Sequence, residues 1–203
     1  MSYGRAPRRR FTLLAAPAAA VALALTLTAC GGDGNKAGGG GNTNFVTGSG
    51  GISTVAKADR VAAPKLDGET LDGKQLDVAD YKGKVVVLNV WGSWCAPCRA
   101  EAQHFARVAK ETKDQDVQFV GINTRDAQKG PAQAFEKEYG IPYPSLFDPN
   151  GELLLRFPKG TLRPQAIPST VVLDKDGKIA ARYLTALDSE KLHKMIDPLI
   201  AEK

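Results

Sequence analysis

One stretch, KVVVLNVWGSWCAPCRAE at residues 84–101, constrains this chain more than any other. Its first half, residues 84–91, is a continuous β-branched and apolar run, the pattern of a central strand buried on both faces. Three residues later comes Cys95-Ala-Pro-Cys98, and from Pro97 to about residue 112 Phe105, Val108 and Ala109 recur at helical spacing. Strand, Cys-x-x-Cys, helix is a specific order. It predicts Cys95 at or just before a helix N-terminus, where free amides and the macrodipole favour a thiolate. Cys98, one turn further in, is expected to be shielded and harder to ionise. Pro97 suits the first helical turn, where a missing N–H breaks no hydrogen bond, and Trp94 is expected to shelter the sulfurs. Glu101 lies three positions after Cys98 on the same helical face. It reads either as a group that tunes or deprotonates the thiols or as a solvated surface carboxylate.

Other jobs for two close cysteines are weaker. Zinc wants four ligands, and only His104 and His193 remain to complete a set, without a second cysteine pair, so no metal is expected. Inert packing cysteines would need neither the strand-to-helix junction nor the intervening proline. His104 falls six positions after Cys98 and is turned away from it; both histidines read as surface or satisfied groups.

The rest of the chain says where this chemistry takes place. Of 203 residues, 27 are Lys or Arg and 22 are Asp or Glu, a formal net charge of +5. Four of the basic residues, Arg5, Arg8, Arg9 and Arg10, stand in the first 29 positions, which hold no acid; without them 23 basic residues face 22 acidic ones. A nucleic-acid partner is therefore not expected. Arginines followed by FTLLAAPAAAVALALTLTA describe an export signal over residues 1–29. LTAC, residues 27–30, is similar to the lipobox of bacterial lipoproteins, which implies a lipid on Cys30 and attachment to the outer face of the cytoplasmic membrane. Three cysteines are an odd number for an exported protein; with Cys30 set aside, Cys95 and Cys98 stand alone. Residues 30–51, rich in Gly, Asn and Ser, read as a flexible tether spanning roughly 25 Å, and residues 52–203 as one globular domain.

Within that domain a hairpin is expected around Asp72-Gly73, a second strand at residues 117–123, and a helix at 132–139 capped by Gly140. A short strand and further extended chain follow at PSLFDPNGELLLRF. Then come a hairpin around Asp176-Gly177 and a closing helix from Ser189, with Ser189 or Asp188 as its cap. That order gives an α/β fold with a mixed central sheet flanked by helices. QAIPST is the second chemical feature: Pro168 directly precedes a β-branched strand, a place for an edge, a bend or a cis bond, and taken alone it reads as a trans turn proline.

VVVLNVWGSWCAPCRAE, followed some 70 residues later by IPSTVVLDKDGKI, resembles the extracytoplasmic thiol-disulfide oxidoreductases of the TlpA/ResA type. The resemblance covers about residues 61–203. It implies a thioredoxin-like fold with an N-terminal β-hairpin and an insertion before the cis-proline segment, within residues 126–156. It implies Cys95 as the exposed nucleophile, Cys98 as the resolving thiol, Glu101 as the acidic residue near the pair, and Pro168 as a cis-proline facing the disulfide. The Ile167 backbone would then pair with an incoming peptide strand. No cofactor beyond the Cys95–Cys98 disulfide is expected, and the chain is expected to act as a monomer. The partners so implied are exported thiol proteins, among them apocytochrome c, and a membrane thiol-disulfide electron donor. Many thioredoxins carry an Asp six positions before the first cysteine; this chain has Asn89, which cannot transfer a proton, leaving Glu101 as the better candidate. Ala-Pro between the sulfurs is close to the Gly-Pro of reducing thioredoxins. A thiol peroxidase and a non-catalytic lipoprotein that binds a partner or copper are the competing functions; the chain lacks the Thr-x-x-Cys setting of the former.

Overall fold

A computed structural model describes residues 43–202 together with Met1. The rest of the expected leader, the lipid site Cys30 and the first part of the tether lie outside the described residues. Among the described residues, nine strands and four α-helices belong to the compact unit Asn35–Lys203. In chain order the strands are β1 (Val46–Thr47), β2 (Ser53–Thr54), β3 (Asp67–Glu69), β4 (Gln75–Asp77), β5 (Val85–Trp91), β6 (Val117–Thr124), β7 (Ser145–Asp148), β8 (Ser169–Leu173) and β9 (Ile179–Tyr183). The helices are α1 (Ala96–Glu111), α2 (Lys129–Tyr139), α3 (Glu152–Leu155) and α4 (Ser189–Ala201). Seven strands form one sheet in the order β1-β2-β9-β8-β5-β6-β7, and β3 and β4 pair separately. This is the thioredoxin-like mixed sheet that the sequence led one to expect.

β5 is the axis of the sheet, and all seven of its residues are buried. Val87 pairs with Phe119 of parallel β6 on one side and with Val172 of antiparallel β8 on the other. Alternation sends Val86, Leu88 and Val90 into one layer and Val85 and Val87 into the other. α1 and α4 close the second layer with Phe105, Val108, Leu192, Met195 and Ile196, while Leu153, Leu154 and Phe157 fill the first. Each such side chain stabilises the fold by about 1.5–3 kcal/mol relative to exposure. Gly140 takes the left-handed conformation, φ 61°, that ends α2 at low steric cost.

Two expectations need correction. Residues 152–155 were expected to be extended, but they form the single turn α3. The Asp148 carboxylate accepts the amides of Glu152 and Leu153 at 2.8 and 3.1 Å, and the turn lets Leu153 and Leu154 bury side by side. The tether also ends earlier than residue 51. β1 pairs with β2, and the Phe45 ring lies 4.0 Å from the Arg182 guanidinium carbon, so aromatic packing extends the sheet by a strand over a Gly-rich turn.

Candidate active site

β5 ends at Trp91, and a four-residue loop carries the chain to α1. Cys95 is the N-cap of that helix, and Cys98 lies in its first turn beside Pro97. The two are joined as a disulfide, Sγ–Sγ 2.06 Å. The Cys98 amide donates to Cys95 Sγ at 3.2 Å, so the helix end places a hydrogen-bond donor on the first sulfur. Cys95 was expected to be exposed, but it is 2% exposed in the disulfide form. Both cysteines belong to a buried cluster with Leu71, Trp91, Ala102, Ala132 and Phe135, and Cys95 Sγ stands 3.8 Å from the Ile167 carbonyl oxygen. Trp94, expected as a shelter, is 48% exposed. Its indole folds back on Gly92, where a Cβ would come within 2.6 Å of Nε1, so any larger residue at 92 would displace the ring. Trp94 is thus an apolar rim beside the pair. The Ile167–Pro168 bond is cis; Pro168 is buried and Ile167 half-buried.

Glu101 is 2% exposed, which removes the reading of a solvated surface carboxylate. Asn89 Nδ2 donates to its Oε1 at 2.8 Å, and the Leu187 amide donates to Oε2 at 2.9 Å. Burial raises its pKa to about 8, and these two neutral donors only partly oppose the rise. A carboxyl of that pKa is matched to an ordinary thiol. Asn89 cannot carry the proton itself, but its amide can serve either state of Glu101. With Nδ2 inward it donates to the carboxylate; turned over, Oδ1 accepts from the carboxylic acid. A small space of about 10 Å³ lies among residues that include Cys98, Asn89, Trp91 and Tyr143, about enough for one water. Burial also raises the Tyr143 phenol well above its ordinary pKa, with the Glu101 charge adding to the rise.

Three residues that sequence reasoning did not single out support the site from behind without touching the sulfurs. Leu187 supplies an amide from 86 positions away. Ser93 and Asp126 brace the loop before Cys95: Asp126 accepts from the Ser93 amide and hydroxyl at 2.9 and 2.5 Å. None carries a local signal beyond its chemical type. His104 bonds Ser189, and His193 bonds Asp197 and Glu111, as satisfied groups outside the site. Among the described residues no group of three His, Cys, Asp or Glu could hold a metal ion, and no helix is long and apolar enough to cross a membrane.

Comparison with known proteins agrees with this geometry. Residues 56–196 match the redoxin family. The thiol-disulfide oxidoreductase ResA of Bacillus subtilis is 30% identical over 131 residues, 64% of this chain and 70% of the relative. The thioredoxin-like protein YneN of the same organism is 30% identical over 137 residues, 66% of this chain and 76% of the relative. Among solved structures, a DsbF homologue from Corynebacterium diphtheriae superposes with a TM-score of 0.70 at 38% identity, covering 78% of this chain and all of that one. A secreted thiol-disulfide isomerase from Corynebacterium glutamicum gives a TM-score of 0.71 at 33% identity, covering 80% of this chain and all of that one.

Proposed function

Since the chain belongs to the redoxin family, as a thiol-disulfide oxidoreductase of the TlpA/ResA type, we propose that it reduces disulfides in exported proteins through Cys95 and Cys98. The observation that carries this reading is Cys95 at the cap of α1, with a backbone amide on its sulfur and a proton-holding carboxyl behind its partner. In the dithiol form the Cys95 thiolate attacks a substrate disulfide, forming a mixed disulfide and releasing one substrate thiolate. Glu101 in its ionised form then takes the Cys98 proton, and the Cys98 thiolate attacks Cys95 Sγ. The second substrate thiolate leaves, and the Cys95–Cys98 disulfide forms. Two electrons have moved to the substrate, and a membrane thiol-disulfide donor returns them. Pro168 and the half-buried Ile167 backbone line the approach, where an extended substrate segment can pair beside the sulfurs, with Trp94 as an apolar contact.

The leader and Cys30 support an exported chain held by lipid at the outer face of the cytoplasmic membrane, with the Gly-rich segment as its tether. Apocytochrome c, whose haem-binding cysteines must be reduced, suits such a reductant in that place. The direction of electron flow rests on the Ala-Pro dipeptide and is tested by the reduction potential. A value near about −270 mV makes the pair a reductant, and one near about −120 mV makes it an oxidant. Enzymatic action is tested by insulin reduction with the full chain and its Cys95→Ser variant; equal rates would remove it.

A further inference from the structure

We propose that Arg125 and Asp126, adjacent residues after β6, are positioning residues that hold the Cys95 loop and the Pro168 loop in register with each other. The inference rests on the thiol-disulfide exchange proposed above and adds a pair of residues to it. Asp126 is 6% exposed and accepts three hydrogen bonds: Ser93 Oγ to Oδ1 at 2.5 Å, the Ser93 amide to Oδ2 at 2.9 Å, and Asn123 Nδ2 to Oδ2 at 2.7 Å. Arg99 grips the other side of the same residue, its guanidinium donating to the Ser93 carbonyl at 2.7 Å. Arg125 points to the second loop. Its Nη2 donates to the Pro164 carbonyl at 2.6 Å and to Gln165 Oε1 at 3.3 Å.

The backbone is specialised at this point. Arg125 has φ 60°, a left-handed conformation that a residue with a Cβ adopts only at a cost. It directs two consecutive side chains to two separate loops. The two anchor points are symmetrical about the reacting surface: Ser93 stands two residues before Cys95, and Gln165 stands two residues before Ile167. Cys95 Sγ and the Ile167 carbonyl oxygen, 3.8 Å apart, are therefore held from behind through one dipeptide. A substrate chain that pairs with the Ile167 backbone while its sulfur meets Cys95 needs that spacing fixed. A small disulfide that touches only the sulfur does not.

The test compares two substrates in the full chain: insulin, which presents a peptide strand, and a small aromatic disulfide, which does not. The variants are Asp126→Ala, Arg125→Ala, Arg125→Gly, Arg125→Lys and the double alanine variant. Clamp action predicts that Asp126→Ala and Arg125→Ala each lower kcat/KM for insulin by about tenfold or more, chiefly through KM, while the small disulfide stays within about twofold. The double variant should lose no more than the worse single one, because either break frees the same register. Arg125→Lys should restore part of the insulin rate. Arg125→Gly relieves the φ strain, so it should melt no lower than the parent and yet remain slow on insulin. Arg125 is exposed, so its variants carry the test if Asp126→Ala fails to fold. Equal slowing on both substrates, multiplicative losses in the double variant, or an insulin rate unchanged in Arg125→Gly would each overturn the clamp. Inactivity of the parent chain on both substrates would instead overturn the exchange reading itself.

Discussion

Glu101 in α1 and Asp174 in the turn after β8 are both buried carboxylates, 2% and 5% exposed. Asp174, just after β8, meets a full charge: Arg60 Nη1 lies 3.0 Å from its Oδ2, and Arg60 also forks onto Glu202 at 2.6 Å. Its other oxygen accepts the amides of Asp176 and Lys178, bracing the β8–β9 turn. Glu101 meets only an amide side chain and one backbone N–H. With a cation supplied, a buried carboxylate becomes a staple between the start of the domain and its last helix. With only neutral donors, it keeps its proton up to about pH 8 and can trade it with a thiol. One difference in partners separates a holding site from a working one.

The largest effect that tests this contrast comes from removing the thiol that Glu101 is proposed to serve. Cys98→Ser should lower insulin turnover at least 100-fold while leaving Cys95 able to attack, so a mixed disulfide should accumulate and be visible by mass spectrometry. Next, Arg60→Ala strips the staple of its cation and leaves Asp174 buried and uncompensated. It should cost about 3 kcal/mol in urea unfolding with insulin turnover unchanged.

Glu101→Gln breaks the other half of the contrast. Its sign follows from the raised pKa: between about pH 4.5 and 8 the unfolded chain releases a proton that the native chain retains, so native stability falls as pH rises through that window and levels off above it. The glutamine variant should lose this slope, be the more stable protein by a few kcal/mol at pH 8, and reduce insulin about tenfold or more slowly at pH 7. Unfolding midpoints across pH, read beside turnover, check both halves. The smallest effect is expected at His193, half-exposed and raised in pKa chiefly by Asp197 and then Glu111. Its contribution is present below about pH 6.5 and lost as pH rises through the raised value. His193→Ala should therefore cost under about 1 kcal/mol at pH 5.5 and nothing measurable at pH 9.

Much of the fold was legible because its signals are local. An uninterrupted apolar run marks β5, Asp176-Gly177 marks the β8–β9 turn, and Asp188 caps α4 through the Lys191 amide. The cysteines and the helix start were equally open to reading, whereas the cis bond at Pro168 was not: read alone the proline suggested a trans turn, and only the family resemblance implied cis. α3 was not, since its helical turn depends on Asp148 reaching forward from a strand and on two leucines finding room in one layer. Nor was β1, a two-residue strand at the sheet edge beside which Phe45 and Arg182 meet.

By itself the sequence determined the thiol pair, its place at a strand-to-helix junction, and the alternating order of elements, all properties of neighbours along the chain. Only the tertiary structure decided what each polar residue would face. Glu101 meets only neutral donors, and its pKa rises, because α1 lies over Asn89 of β5 and the loop before α4 brings an amide from 86 residues away. Asp126 comes to grip Ser93 because β5 and β6 run parallel and end together. A pKa and a loop register depend on distances through space, and those distances are set by how the layers pack.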